Sequence, residues 1–314
     1  MRYYFAPMEG LTDSIYRKIH HAHFPGVDRY YTPFFSPTVH RKLTPRESRD
    51  LPPADSLGCC VIPQILTKVP EDFIWMAQQC QQLGYTQVDL NLGCPSGTVT
   101  AKGKGAGMLL DLNSLDAFLD RIFSDTPVDI SVKTRLGFHS RDLFPQLLEV
   151  LNQYPLRELT VHPRIRNDFY KGGVDMESFS LAVDKSKAPV CYNGNLTEIP
   201  QADKIHECYP TVEAVMIGRG LIGDPGMVTP GGTTGQKLHA FTTELFEAYA
   251  DAFGSTRNAM FRMKENWRYL SCRFEGSEKL YKKLRKTTDL QEYRSITREM
   301  CQTLPLASKL QADW

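Results

Sequence analysis

The chain has 314 residues, 41% of them hydrophobic and 23% charged, with a net charge of +1. That length buries a sizeable core and suits one large α/β domain with or without a small one, while a charge so near zero selects no class of partner. No apolar run is long enough to span a membrane or to act as a secretion signal, and eight cysteines without a C-x-x-C pair argue against a zinc ribbon or a thioredoxin-like motif. The expectation is a cytoplasmic protein with no membrane contact and no metal.

Short apolar segments with strand character recur at 3–7, 29–33, 61–66, 87–91, 129–134, 158–162, 190–193 and 214–218. Helical spacing fills most of the intervals, at 71–83, 115–123, 143–151 and 179–183. Strands alternating with helices predict a parallel sheet with right-handed crossovers, and eight of them predict an α/β fold of the TIM (β/α)8 barrel type. The first two crossovers are irregular. Residues 226–235, GMVTPGGTTG, have no periodicity and read as a linker; they lack the Lys-Ser/Thr ending of a phosphate-binding P-loop. Helical patterns follow at 238–253, 257–274, 278–287 and 291–304. The predicted organisation is a catalytic barrel over 1–235 followed by a small all-helical C-terminal domain over 236–314.

Charge is unevenly placed. Residues 257–298 carry 12 basic and 5 acidic side chains, a local +7 against −6 for the remainder. A solvated helical face is the plain reading, and a basic surface for a polyanion is the functional one.

In a (β/α)8 barrel the reactive groups collect where the strands end. Those ends read Pro7-Met8-Glu9-Gly10, Gln64, Asn91 and Cys94, Lys133 and Arg135, His162 and Arg164, Asn193-Gly194-Asn195, and Gly218-Arg219-Gly220. Gly194 and the Gly-Arg-Gly turn end the last two strands, where barrels often hold a phosphate, or they are ordinary strand-to-helix turns. Lys133 offers a cation to a ligand that becomes anionic on reduction, such as a flavin, or is a lysine snorkelling at a strand end. Gln64 offers a donor and an acceptor to the edge of a flavin or pyrimidine. His162 alone reads as a core histidine, and Arg164 beside it favours a ligand contact. His20, His21, His23 and His139 read as surface or packing residues. Cys59 and Cys60 read as buried, and most other cysteines as inert core thiols.

Cys94 stands on a loop just past the strand VDLNLG, with Pro95 behind it and Gly103, Gly105 and Gly107 following. Three roles compete. A nucleophile needs a nearby base, and a redox thiol needs a partner cysteine. A neutral thiol acting as general acid needs only to face the substrate, and so asks least of the sequence.

These blocks resemble the tRNA-dihydrouridine synthases: APMEGLTD at 6–13, DLNLGCP at 89–95, SVKTRLG at 131–137, VHPR at 161–164, YNGN at 192–195 and MIGRG at 216–220. The likeness covers nearly the whole chain. In the tail, Arg262-Met263-Lys264 and Trp267-Arg268-Tyr269-Leu270 resemble the family's RNA-facing helix. The resemblance implies an FMN-bound barrel that reduces the 5,6 double bond of a uridine in tRNA, with NADPH renewing the flavin. It places Pro7, Met8 and Glu9 at the flavin and Gln64 and Lys133 at its polar edge. His162, Asn193, Gly194, Asn195, Gly218 and Arg219 complete the flavin and phosphate site. Asn91 and Arg164 hold the uracil, Arg262, Lys264 and Arg268 grip the RNA, and Cys94 protonates C5 after hydride reaches C6 from flavin N5. The base must leave its stack to enter the barrel. Pro163 and Asn195 depart from the family pattern, and residues 166–173 form an unusual segment read as a substrate loop. The tail is most similar to the bacterial subgroup acting on tRNA position 16. A monomer is expected. A ribosomal RNA substrate and a small pyrimidine or enone are the rival readings.

Overall fold

The computed structural model describes residues 1–311. The chain divides into two compact units. The first holds Met1–Pro7, Asp28–Asn195 and Ala202–Met216, and the second holds Met8–Val27, Leu196–Gln201 and the chain from Ile217 onward.

The first unit is built on a parallel sheet of nine segments: β1 (Arg2–Phe5), β2 (Arg29–Tyr31), β3 (Val61–Ile62), β4 (Gln64–Ile65), β5 (Gln87–Leu92), β6 (Asp129–Gly137), β7 (Leu159–Ile165), β8 (Val190–Tyr192) and β9 (Ala214–Ile217). Their order is β3-β2-β1-β9-β8-β7-β6-β5-β4. The nine segments make eight staves. Between β3 and β4 stands Pro63, which has no N–H to continue a ladder. β3 pairs with β2 and β4 with β5, so the interrupted stave closes the ring. The carbonyl of Pro63 still accepts the Asp89 N–H at 2.8 Å. The predicted (β/α)8 barrel is the observed fold, with β6 and β7 each running three residues further than their apolar patterns.

Side chains alternate across a strand. Val88, Leu90, Leu92, Ile130, Val132, Leu159 and Val161 form one phase, all buried. The other phase is Asp89 and Asn91 on β5, Ser131, Lys133 and Arg135 on β6, His162 and Arg164 on β7, and Gln64 on β4. Hydrogen bonds between these strands show that this second phase shares the barrel interior. Parallel register sets Gln64 beside Asp89, Asp89 beside Ser131, Asn91 beside Lys133 and Arg135 beside His162. On β4 to β7 the interior face is therefore polar where barrels usually carry branched apolar residues, while Tyr31, Ile62, Cys191, Ala214 and Met216 of β2, β3, β8 and β9 belong to a buried apolar cluster. Nearer the strand starts, Glu158 accepts from Tyr4 Oη at 3.0 Å and Tyr31 Oη at 3.1 Å, with Arg29 3.7 Å away.

Helices Pro70–Gln82, Leu112–Asp125, Phe144–Leu151 and Met176–Lys185 follow β4 to β7. Two start three residues before their apolar periodicity. Asp111 caps the N–H groups of Asn113 and Ser114, and Asp175 those of Glu177 and Ser178, each at 3.1 Å. Such caps fix a helix start that apolar spacing does not report. The expectation for the Cys59-Cys60 pair is corrected: Cys60 is exposed and Cys59 only half-buried, because the segment before β3 lies at the surface.

The second unit contains helices Ser14–His23, Arg219–Gly223, Gly235–Phe253, Thr256–Leu270, Glu278–Lys286 and Leu290–Thr303. The segment read as a linker is a folded turn: a Cβ on Gly226 would lie 2.4 Å from Thr233 Oγ1, and the Thr229 N–H bonds the Gly226 carbonyl at 3.0 Å. His20 is buried against Tyr16, Phe24 and Phe241, which makes it a packing residue. Trp267 is also buried, with its indole N–H on Tyr293 Oη at 3.2 Å, so it packs helices rather than offering a stacking face. On Glu278–Lys286 only Leu284 is buried, and Lys279, Lys282, Lys283, Arg285 and Lys286 are exposed. The local positive charge thus forms a surface.

Candidate active site

The site of the first unit grows from one buried carboxylate. Asp89 is fully buried, and burial raises its pKa to about 7 despite hydrogen bonds that favour the charged form. Its two oxygens accept from Ser131 Oγ and Gln64 Nε2, both at 2.8 Å. Gln64 is thereby oriented, with Oε1 turned to accept Asn91 Nδ2 at 2.7 Å. Asn91 is oriented in turn, and its Oδ1 accepts the backbone N–H groups of Gly93 at 3.0 Å and Cys94 at 2.8 Å. A chain of hydrogen bonds with one direction runs from Asp89 to the backbone of the candidate thiol.

The loop is held from its other side as well. The Cys94 carbonyl accepts the Ala106 N–H at 3.2 Å. A Cβ on Gly105, whose φ is +58°, would stand 3.0 Å from Cys94 Cβ and 3.1 Å from Val99 Cγ1. Both the backbone angle and the space demand glycine. Gly105→Ala is expected to lower stability by about 1–3 kcal/mol, read as an earlier denaturant midpoint. Asn91→Ala leaves two backbone N–H groups without their acceptor and is expected to cost about 1–3 kcal/mol, measured in the same way.

Two cations adjoin the loop. Lys133 is largely removed from water, which brings its pKa down to about 8; Arg135 adds repulsion, while Asp89 and Cys94 oppose the shift. Arg135 is 1% exposed. Its Nε donates to the Gly93 carbonyl at 2.9 Å and Nη1 to the Ile165 carbonyl at 3.0 Å, so it ties the Cys94 loop to the end of β7. Its guanidinium carbon lies 5.3 Å from the ring centre of Tyr170.

His162 Nε2 accepts from Arg164 Nη1 at 3.0 Å; since arginine only donates, the ring proton sits on Nδ1. Tyr170 stacks on His162 at 6.1 Å. Arg164 also donates to the carbonyls of Lys171 and Gly172, so its guanidinium anchors the 166–173 segment. Asn193 Nδ2 donates to the Met216 carbonyl at 2.8 Å. Gly194 is buried where a Cβ would stand 2.9 Å from Val174 Cγ1, and Asn195 is exposed with φ +45°. Pro7 is the second residue after β1.

The remaining expected residues lie in the second unit. The Met8 N–H donates to Thr12 Oγ1 at 3.0 Å, and Glu9 beside it is exposed. Gly218 leads into helix Arg219–Gly223, and a Cβ on Gly220 would stand 2.2 Å from the Leu196 carbonyl oxygen. Arg262 donates to the Gly10 carbonyl and Lys264 to that of Thr287, so both have intramolecular partners. Arg268 is exposed, 5.9 Å from the Tyr269 ring centre.

Sequence reading passed over Asp89 and Tyr170 and gave Arg135 no role. Asp89 lies two residues before Asn91 and Arg135 two after Lys133, so the strand period carried the signal for both. Tyr170 had none, because its place depends on Arg164 holding the loop.

The dihydrouridine synthase family model matches residues 4–311. A tRNA-dihydrouridine(16) synthase of Shewanella oneidensis is 28% identical over 307 residues, covering 92% of this chain and 95% of that protein. One from Escherichia coli strain K12 is 30% identical over 243 residues, covering 72% and 74%. Among solved structures, morphinone reductase in complex with tetrahydroNAD superposes with a TM-score of 0.52 at 12% identity, covering 72% of this chain and 85% of that one, a likeness of fold. The chain belongs to the dihydrouridine synthase family.

Proposed function

We propose that the protein reduces a uridine of tRNA to 5,6-dihydrouridine, with FMN as its cofactor and NADPH as the reductant. The observation that carries this reading is the set at the barrel mouth: a loop cysteine oriented through Asn91, the Gln64 carboxamide, and the Lys133 ammonium, on neighbouring strands. That donor set suits a flavin, whose ring edge presents alternating acceptors and one donor and gains negative charge on reduction. In the first unit, Gln64, Lys133, His162 and Asn193 would hold the ring and its side chain, with Pro7 after β1, and Gly194 and Asn195 would meet the phosphate. In the second unit, Met8 and Glu9 are the candidates for the flavin and Gly218 and Arg219 for its phosphate. When bound, the flavin supplies the hydride taken up at C6 of the uracil. Cys94 supplies the proton to C5, and Lys133 and Arg135 favour the anionic sulfur left behind. Asn91 and Arg164 act on the uracil side of the site chiefly through what they hold, the Cys94 backbone and the 166–173 loop. Arg268 and the basic face of Glu278–Lys286 meet RNA phosphates; Arg262 and Lys264 support them.

The relatives named for position 16 make uridine 16 the proposed target. The test is to incubate purified, FMN-loaded protein and NADPH with an unmodified tRNA transcript and map the two-hydrogen mass gain. A gain at that position is the expected result. Gain only on ribosomal RNA, or turnover of free uracil or an enone with none on tRNA, would replace the reading.

A further inference from the structure

Beside the Cys94 loop, the first unit gathers cations that the site described above does not use. Lys68 follows β4, and its ammonium nitrogen lies 3.3 Å from the position a Cβ on Gly103 would take. It therefore sits against the backbone that joins Lys102 to Lys104. Lys104 Nζ donates to Ser36 Oγ, on the segment after β2, at 2.9 Å. Lys68 and Lys102 are exposed and Lys104 is partly so. Lys104 loses water on burial and is repelled by Lys102 and Lys68, and these effects together lower its pKa against the pull of Asp72. Asp72 is itself paired with Arg41 at 3.3 Å, so this single carboxylate is shared between the arginine and Lys104 and leaves the group net positive. Like charges gathered at a cost are relieved by an anion that bridges them. The position specifies which anion. Lys104 immediately precedes Gly105, which packs under Cys94, so the ligand passes directly beside the residue that meets the nucleobase.

We infer that Lys68, Lys102 and Lys104 grip successive phosphates of the RNA strand that carries the target uridine. The inference rests on the proposed reading of the protein as an RNA uridine reductase. The shared chemistry is a phosphate ester, and NADPH is the other source of one. Three neighbouring cations contributed by the loops after β4 and β5 match a strand with regularly spaced charges. It anchors the nucleotides flanking the target while the base itself turns into the barrel.

The test uses the full-length, FMN-loaded protein in four forms: the parent; Lys68→Gln with Lys102→Gln; those two with Lys104→Gln; and all three changed to arginine. The double variant keeps the Lys104–Ser36 hydrogen bond and guards against a disturbed loop. Binding of an unmodified tRNA transcript is followed across roughly 50–200 mM salt. The triple glutamine variant is expected to bind at least about tenfold more weakly at the low-salt end, with a log–log salt slope shallower by about two to three. The double variant should fall between it and the parent, and the arginine form should match the parent. The rate at which NADPH reduces the bound flavin should be unchanged throughout. A parental slope retained by the triple glutamine variant overturns the inference alone, and so does a raised KM for NADPH with RNA binding intact. A parent that binds the transcript without salt dependence overturns the functional reading and this inference with it.

Discussion

Cys94→Ala is expected to slow uridine reduction about 10²–10⁴-fold, the usual span for loss of a general acid, while NADPH continues to reduce the bound flavin at the parental rate. The asymmetry follows from where the thiol stands. In the proposed reaction the sulfur has no part in electron transfer from the nicotinamide; it is needed only when charge develops on the uracil and C5 must gain a proton. Its backbone N–H and carbonyl are bonded to Asn91 and Ala106, so truncating the side chain leaves the loop in place. Rapid mixing separates the two halves: flavin absorbance after NADPH addition reads the first, and reoxidation of prereduced protein by tRNA reads the second. Equal loss in both halves would point to a damaged site rather than a missing acid. An unchanged second half would remove Cys94 from the chemistry. Cys94→Ser keeps the shape with a far weaker acid and should lie near the alanine value.

The parts of this site that were legible in the sequence are those whose signal is local. Period-two alternation marks the staves, and the strand ends mark Gln64, Asn91, Lys133, His162 and Asn193 as candidates. The barrel closure at Pro63 was harder to read, since a proline inside a strand pattern ordinarily argues against the strand. Helix starts at Asp111 and Asp175 were displaced because caps are set by side-chain hydrogen bonds, not by apolar spacing. The polar interior went unread for a different reason. A carboxylate inside an apolar strand, such as Asp89 or Glu158, looks like an interruption until its partners on other strands are known. Asp89 is tolerable only because Ser131 and Gln64, 42 and 25 residues away in sequence, donate to it. The role of Arg164 was hidden likewise: its partners are carbonyls of Lys171 and Gly172, and no sequence pattern marks a carbonyl as an acceptor for a distant guanidinium.

Lys133 should give uridine reduction an alkaline limb that falls about tenfold for each pH unit above about 8. The sign follows from the direction of the shift. Burial disfavours the ammonium, so its pKa is lowered to about 8, and the neutral amine takes over above that value. In the proposed reaction the ammonium is the useful form, because the ligand edge assigned to it becomes negative and the Cys94 sulfur loses its proton. The Lys133 contribution is therefore present below pH 8 and is lost as pH rises. Asp89, with a pKa near 7, limits the other side: below pH 7 it becomes protonated, one of its oxygens must donate rather than accept, and the hydrogen-bond chain through Gln64 and Asn91 to the Cys94 backbone loses its anchor. The two groups act on each other, so the apparent values belong to the pair. Single-turnover rates from prereduced protein between about pH 6 and 9 should then form a bell with its top between about 7 and 8. Two variants assign the limbs. Lys133→Arg keeps a charge that does not titrate in this range and should flatten the alkaline limb. Asp89→Asn keeps an oxygen for Gln64, and the Ser131 hydroxyl can turn to accept from the new amide; it should flatten the acid limb with little loss of fold. Lys133→Met should lower both the rate and the affinity for FMN at every pH. An alkaline limb that survives in Lys133→Arg with the same midpoint would show that another group titrates there, and the ammonium at the mouth would lose its place in the reaction.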